Sequence, residues 1–337
     1  MTAQTDYQII RNATAVHTLG APLVRLTGDD RLEFLDGFLS KSSDFVDPDT
    51  TRECLALEDD GRPFAIMLHL ELDEVSWLVP RSAVSVGELV DYLGTMDVPD
   101  GVTVEVAPSG WRAIAFEGAC AWRVAEDFID YDISGLVLHG ITEITIPGAD
   151  RGTSAVMARV STSGEYGYLV ITDAVDIAEL TIAERARALG GAVIDDEALA
   201  RVEAEAGTPH YAFGVRGHDL TEMDLSWLID WNRIGEFRGS DALTAPTREQ
   251  RRLVPFTAPA GSRVEPSSPV LADGQRVGEV LYVTPPANPD EELGFAIVEA
   301  PFWVPGLELT LDGEDGLTIR TVTLPRVLAR SSVERMA

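Results

Sequence analysis

An α+β chain ending in a small β-barrel is predicted by three observations. Strands and helices follow one another irregularly from residue 22 to 243, without the regular βαβ alternation that builds a parallel sheet. After about residue 247 the character changes to short apolar runs separated by Pro and Gly, which reads as a barrel or sandwich. At 337 residues the chain is too long for one small core. The expected division is 1–247, made of two α+β subdomains, and 248–337, the barrel.

The elements can be taken in order. Pro22 to Leu26 reads as a strand, and Thr27 is placed to cap a helix over Gly28 to Ser40, with Asp29 and Asp30 at its positive end. Leu32, Leu35 and Leu39 repeat at helical spacing. Glu53 to Leu57 is strand-like, residues 58 to 63 a turn, and Phe64 to Leu72 a long apolar strand carrying His69. Trp77 to Val79 is a strand that Pro80 ends, and Ser82 is expected to cap a helix to Leu93. A second unit follows: strand Trp111 to Phe116, helix Gly118 to Ala125, strands within Leu136 to Ile146. Val156 to Val160 and Tyr168 to Ile171 form a hairpin whose bend, Ser161 to Gly167, is rich in turn formers. Gly164 and Gly167 can take positive φ there, and Glu165, Tyr166 and Tyr168 offer a carboxylate and two aromatic faces; an ordinary hairpin accounts for the same residues. Asp176 to Leu189 is a helix, and Asp195 caps another to Ala206 that Gly207 ends. Thr208 to Leu220 is an irregular loop holding His210, Tyr211, Arg216 and His218, either a site or a packed surface turn. The barrel strands are Leu253 to Phe256, Val270 to Leu271, Val277 to Val283, Gly294 to Val298, Leu307 to Leu311 and Leu317 to Leu324.

Composition limits the function. The net charge of −30 disfavours nucleic acid or an anionic membrane as partner, since phosphate would be repelled. Lys41 is the one lysine, so positive charge is arginine; Arg248, Arg251 and Arg252 form a local cluster for an anion. No leader pattern and no apolar run of 18 residues appear, so a cytoplasmic protein is expected. Cys54 and Cys120 are isolated and the five histidines lack ligand spacing, so no metal is expected. There is no G-x-G-x-x-G after a strand, no P-loop and no G-x-S-x-G elbow.

Five segments in order carry a resemblance: Leu26 to Gly37, Arg159 to Tyr168, Arg201-Val202-Glu203-Ala204 with Ala206-Gly207, Glu236 to Leu243, and Gly274 to Val280 with Leu293 to Val298. Together they resemble the aminomethyltransferase family, whose founding member is the glycine cleavage T-protein. The resemblance implies a three-subdomain ring with a C-terminal barrel around a folate channel. It implies tetrahydrofolate as cofactor and a one-carbon transfer, methyl or aminomethyl, or a demethylation, from a small-molecule substrate. On that reading Glu165, Tyr166, Tyr168, Leu169, Arg201 and Glu203 lie near the pterin, and Arg252 meets the glutamate tail. His210 and Tyr211 serve the substrate, with His69 or Glu58 as base.

The departures from the family are specific. Leu169 stands where the family has a carboxylate for the pterin edge, so Leu169→Glu is expected to tighten folate binding. Thr162 replaces a Tyr, Phe64 and Ala65 stand at the catalytic Asp, and Pro80 replaces an Asn. Glycine cleavage with a lipoyl carrier partner is therefore not expected. A channel repurposed for a non-folate small molecule, or a non-catalytic folate-binding accessory protein, are the alternatives.

Overall fold

A computed structural model describes residues 5–43, 46–81, 83–150, 152–243, 251–286, 291–312 and 316–336. The chain opens with α1 (Asp6–Asn12), β1 (Ala15–Thr18), β2 (Val24–Thr27) and α2 (Arg31–Asp36). It continues through β3 (Thr50–Leu57), β4 (Pro63–Glu71), β5 (Val75–Pro80), α3 (Val86–Gly94) and β6 (Thr103–Val106). Next come β7 (Arg112–Glu117), α4 (Ala121–Ala125), β8 (Ile141–Glu143), β9 (Ala155–Ala158) and β10 (Gly167–Thr172). Then α5 (Val175–Ala188), β11 (Ala192–Val193), α6 (Asp196–Ala206) and the short α7 (His210–Phe213) precede the last strands. These are β12 (Arg252–Pro259), β13 (Pro269–Ala272), β14 (Gln275–Val283), β15 (Glu291–Val298), β16 (Glu308–Leu311) and β17 (Thr318–Thr321).

Two open sheets and a barrel result. One sheet has the order β11-β1-β7-β10-β9-β8 and the other β3-β4-β5-β2-β6. The last six strands close as β12-β15-β14-β13-β16-β17, the mixed α+β architecture with a terminal barrel. The expected boundary at residue 247 lies outside the described residues.

Each sheet buries one face under its own helices. Phe116, Tyr168, Val170 and Met157 pack on α4 and α5 residues such as Val124 and Ile182. Val24, Leu26, Met67 and Leu78 pack on α2 and α3 through Phe34, Leu35 and Leu89. The other faces meet each other: Leu169, Ile171, Ala113 and Ala115 of the first sheet against Leu68, Leu70, Trp77 and Val79 of the second. The barrel joins both partners. Ile297 and Leu253 share a cluster with Leu55 and Ile66, while Leu293 and Phe295 pack on Ala204 of α6. Three bodies in pairwise contact make a closed arrangement.

Local chemistry explains most element ends. Asp195 caps α6, its carboxylate accepting from the amides of Glu197 and Ala198 at 3.2 and 3.3 Å, and Gly207 ends it at φ 109°. The cap of α3 is Ser85, in a reciprocal capping box with Glu88; the cap expected at Ser82 lies outside the described residues. The helix expected from Gly28 begins at Arg31, behind Asp30. Among the described residues no helix is long and apolar enough to cross a membrane, and no group of His, Cys, Asp and Glu is placed to hold a metal.

Candidate functional site

A cavity of about 610 Å³ lies at one end of the space between the two sheets. His17 and Thr162 come from the first sheet, Pro80 and Arg81 from the end of β5, Leu199 and Glu203 from α6, and Tyr211 from α7. Strand alternation places them. On β5, Trp77, Val79 and Arg81 share a face, so the apolar contact between the sheets gives way to a guanidinium where the strand ends. On β7, Ala113, Ala115 and Glu117 share a face in the same way, and His17 pairs with Ala115 from β1.

Glu117 organises the first-sheet wall. Its carboxylate accepts from Ser161 Oγ, from the amides of Thr162 and Ser163, each at 2.9 Å, and from Thr162 Oγ1 at 3.0 Å. Burial by itself would raise its pKa. His17 at 3.8 Å and the donors of the 161–163 bend outweigh that and hold the carboxyl down at about 2. The hairpin bend is thus fixed by a charge from the neighbouring strand. Gly164 adopts φ 75° in it, whereas Gly167 is needed for close approach: a Cβ there would lie 2.5 Å from the Val160 carbonyl oxygen.

The opposite wall carries Tyr211. Its hydroxyl donates a short hydrogen bond to Glu53 on β3, and burial followed by the Glu53 charge pushes its pKa well up. Arg81 lies over the Tyr211 ring at 5.8 Å and 3.8 Å from Glu53. Glu203 is buried beside them, and at the rim Glu88 is paired with Arg216.

Of the residues singled out from sequence, Tyr211 and Glu203 line the cavity, as do Thr162 and Pro80 at two of the positions that depart from the family. The others are held elsewhere. Leu169 is 1% exposed within the apolar layer between the sheets, and Tyr168 is buried on the opposite face, its ring 5.4 Å from Phe116. His69 lies on the helix-covered side of its sheet, its ring bonded to Arg52 and Glu71. Burial drives the His69 pKa down, although the Glu71 carboxylate opposes this. Glu58 pairs with Arg216 at 3.7 Å in a surface groove. His210 holds the Met223 carbonyl at 2.7 Å and packs on Phe213. Glu165 accepts from the amides of Arg330 and Ser331, and the Tyr166 hydroxyl donates to the Glu334 carbonyl, so both tie down the C-terminal segment. Arg201 bridges Glu205 at 2.7 Å and Thr284 at 2.9 Å, joining α6 to the barrel. Arg252 stacks over Trp303, Arg251 pairs with Glu279, and Arg248 lies outside the described residues.

Sequence reasoning missed His17, Glu53, Arg81 and Glu117. Arg81 had a signal: a lone cation at two-residue spacing after Trp77 and Val79. His17 and Glu117 had none, because they meet only when β1 pairs with β7.

No protein-family model matches the chain. An aminomethyltransferase of Streptomyces avermitilis is 24% identical over 297 residues, covering 84% of this chain and 77% of that protein. One of Streptomyces coelicolor is 25% identical over 295 residues, covering 85% and 78%. The crystal structure of the glycine cleavage system aminomethyltransferase T from Bartonella henselae aligns with a TM-score of 0.75, covering 96% of this chain and 89% of that one at 17% identity. The chain is thus similar in sequence to aminomethyltransferases along most of its length, and its two sheets and terminal barrel form the fold of the glycine cleavage system aminomethyltransferase T.

Proposed function

We propose that the cavity between the sheets binds the pterin of tetrahydrofolate and that the chain is a one-carbon transferase, methyl or aminomethyl, or a demethylase, acting on a small molecule. The observation that carries this reading is Glu203. It belongs to the helix end that resembles the family, and it is a buried acidic residue in the cavity wall. A pterin has a donor edge of ring N–H and amino groups, which a buried carboxylate accepts. Tyr211 and Leu199 supply flat and apolar wall. The residues present therefore fit the pterin head, although Leu169 takes no part.

Tetrahydrofolate, when bound, supplies a nucleophilic nitrogen that accepts the one-carbon unit. The chain's own contribution is positional. Glu203 orients the ring, Tyr211 closes one side with its hydroxyl fixed by Glu53, and the apolar layer below excludes water. With Phe64 and Ala65 buried in the core, no carboxylate stands at the family's Asp position, which supports a reaction other than glycine cleavage.

Tetrahydrofolate in excess is expected to raise the melting temperature, since a ligand at 100 times its Kd stabilises by about 2.7 kcal/mol. Glu203→Gln is expected to weaken binding by roughly tenfold or more, by removing the charge from a buried hydrogen bond. No thermal shift with any reduced folate would reject the folate reading. The second reading, a non-folate small molecule in the same cavity, is favoured by the burial of Leu169 outside the cavity and would then stand.

A further inference from the structure

Two donor side chains facing the cavity are buried with a nitrogen left over. The Arg81 side chain is 6% exposed, and its Nε has no hydrogen-bond partner among the described residues. Glu53 Oε1, at 3.8 Å, is a charge neighbour beyond hydrogen-bond reach, and that oxygen already accepts from Tyr211. His17 is 4% exposed, and its Nε2 is likewise unpartnered among the described residues. Its neighbour Glu117 Oε1, also at 3.8 Å, accepts from Thr162. Buried donors are nearly always paired, because an unmade bond forfeits the hydration given up on folding. Arg81 and His17 line one cavity, which leaves room beside both side chains for a group that arrives with the ligand.

We propose that Arg81, with His17 beside it, receives a carboxylate of the ligand. A guanidinium is planar, permanently charged and matched to the two oxygens of a carboxylate, and it binds that group more strongly than a neutral carbonyl. The neighbouring Glu53 keeps Arg81 oriented without satisfying its Nε, so the cation is held ready. His17 adds one donor from the facing sheet, so the two sheets grip the anion between them. Glu203, of opposite sign, lines the same cavity and leaves the rest of the ligand to a donor-bearing part. This inference rests on the cavity being the ligand site and not on the ligand being a folate. The carboxylate can belong to the small substrate or to the glutamate tail of the folate, and the two sources behave differently.

The test is calorimetric titration of the full chain and of Arg81→Gln with acetate, with 6-methyltetrahydropterin, which has no carboxylate, and with tetrahydrofolate. Acetate is expected to bind the native chain and to lose at least about tenfold in affinity in Arg81→Gln, with 6-methyltetrahydropterin unchanged. A carboxylate from the substrate lets acetate bind alongside tetrahydrofolate. A carboxylate from the folate tail makes the two compete, and Arg81→Gln then weakens tetrahydrofolate as well. His17→Asn is expected to weaken acetate by about threefold, as one donor among several. The unliganded melting temperature separates recognition from a structural role. Arg81→Gln is expected to leave it unchanged or raise it, whereas loss of a structural partner for Glu53 would lower it. If acetate fails to bind the native chain, or Arg81→Gln binds it as well as the native chain does, the proposal is overturned. Acetate binding that depends on Arg81 while neither pterin binds would keep this inference and remove the folate reading.

Discussion

Leu169→Glu is expected to destabilise the protein by about 4 kcal/mol and to leave folate affinity without gain, since an unpaired buried charge costs about 3–5 kcal/mol. Read from the sequence, the substitution restores a carboxylate that the family carries. In the folded chain Leu169 is 1% exposed and packs with Leu68, Ala115, Val79 and Ile171 in the layer between the sheets. A carboxylate there would find apolar side chains on every side. It would respond by staying protonated to a higher pH, so its folded pKa would exceed its unfolded value. The sign follows: the native state of the variant then binds more protons than the unfolded state, and its stability falls as pH rises. Urea titrations at pH 5 and pH 8 should therefore show a larger deficit against the native chain at pH 8. A variant as stable as the native chain at both pH values would mean that residue 169 reaches the cavity.

Glu117→Gln is the second large effect, expected at roughly 3 kcal/mol. The native carboxylate accepts from Ser161, Thr162 and Ser163 together, and an amide can offer one oxygen while its NH₂ meets donors. The pH dependence has a definite sign. Glu117 falls from an ordinary value of 4.5 to about 2 on folding, so its contribution is complete above 4.5 and is lost as pH drops toward 2. The native chain should lose stability through that window, and Glu117→Gln should be flatter across it by a similar amount. Because Thr162 lines the cavity, the variant should also bind tetrahydrofolate more weakly even where it remains folded. Parallel acid profiles for the two proteins would remove Glu117 as the anchor of the bend.

How much was legible follows from the range of the interactions. Asp195 and Gly207 bound α6 by capping and positive φ, which are local, and both were readable. The six barrel strands were readable because Pro and Gly punctuate them, and each overlaps a strand of the closed barrel. The short α1 and β1 were not seen; their stability comes from packing of Ile9, Ile10 and Ala15 on Leu199 and Val202 of α6, far away in the chain. Among the candidate site residues, Tyr211 and Glu203 line the cavity, one picked out by its loop and one by its motif. His69, Tyr168 and Arg201 are equally suggestive in sequence, yet each points to a core or an ion pair instead of the cavity. A side chain's chemistry is local, but the face it occupies is set by register and by what packs on that face.

By itself the sequence determined the elements with strong local signals, the terminal barrel, and the resemblance to the aminomethyltransferases. Tertiary structure alone decided which side chains share the cavity. His17 and Glu117 are 100 residues apart and meet because β1 pairs with β7. Glu53 and Tyr211 meet because α7 folds back over β3. Long-range pairing brings such groups together through backbone hydrogen bonds and apolar burial that carry no mark at either residue, so no stretch of the chain, read alone, records them.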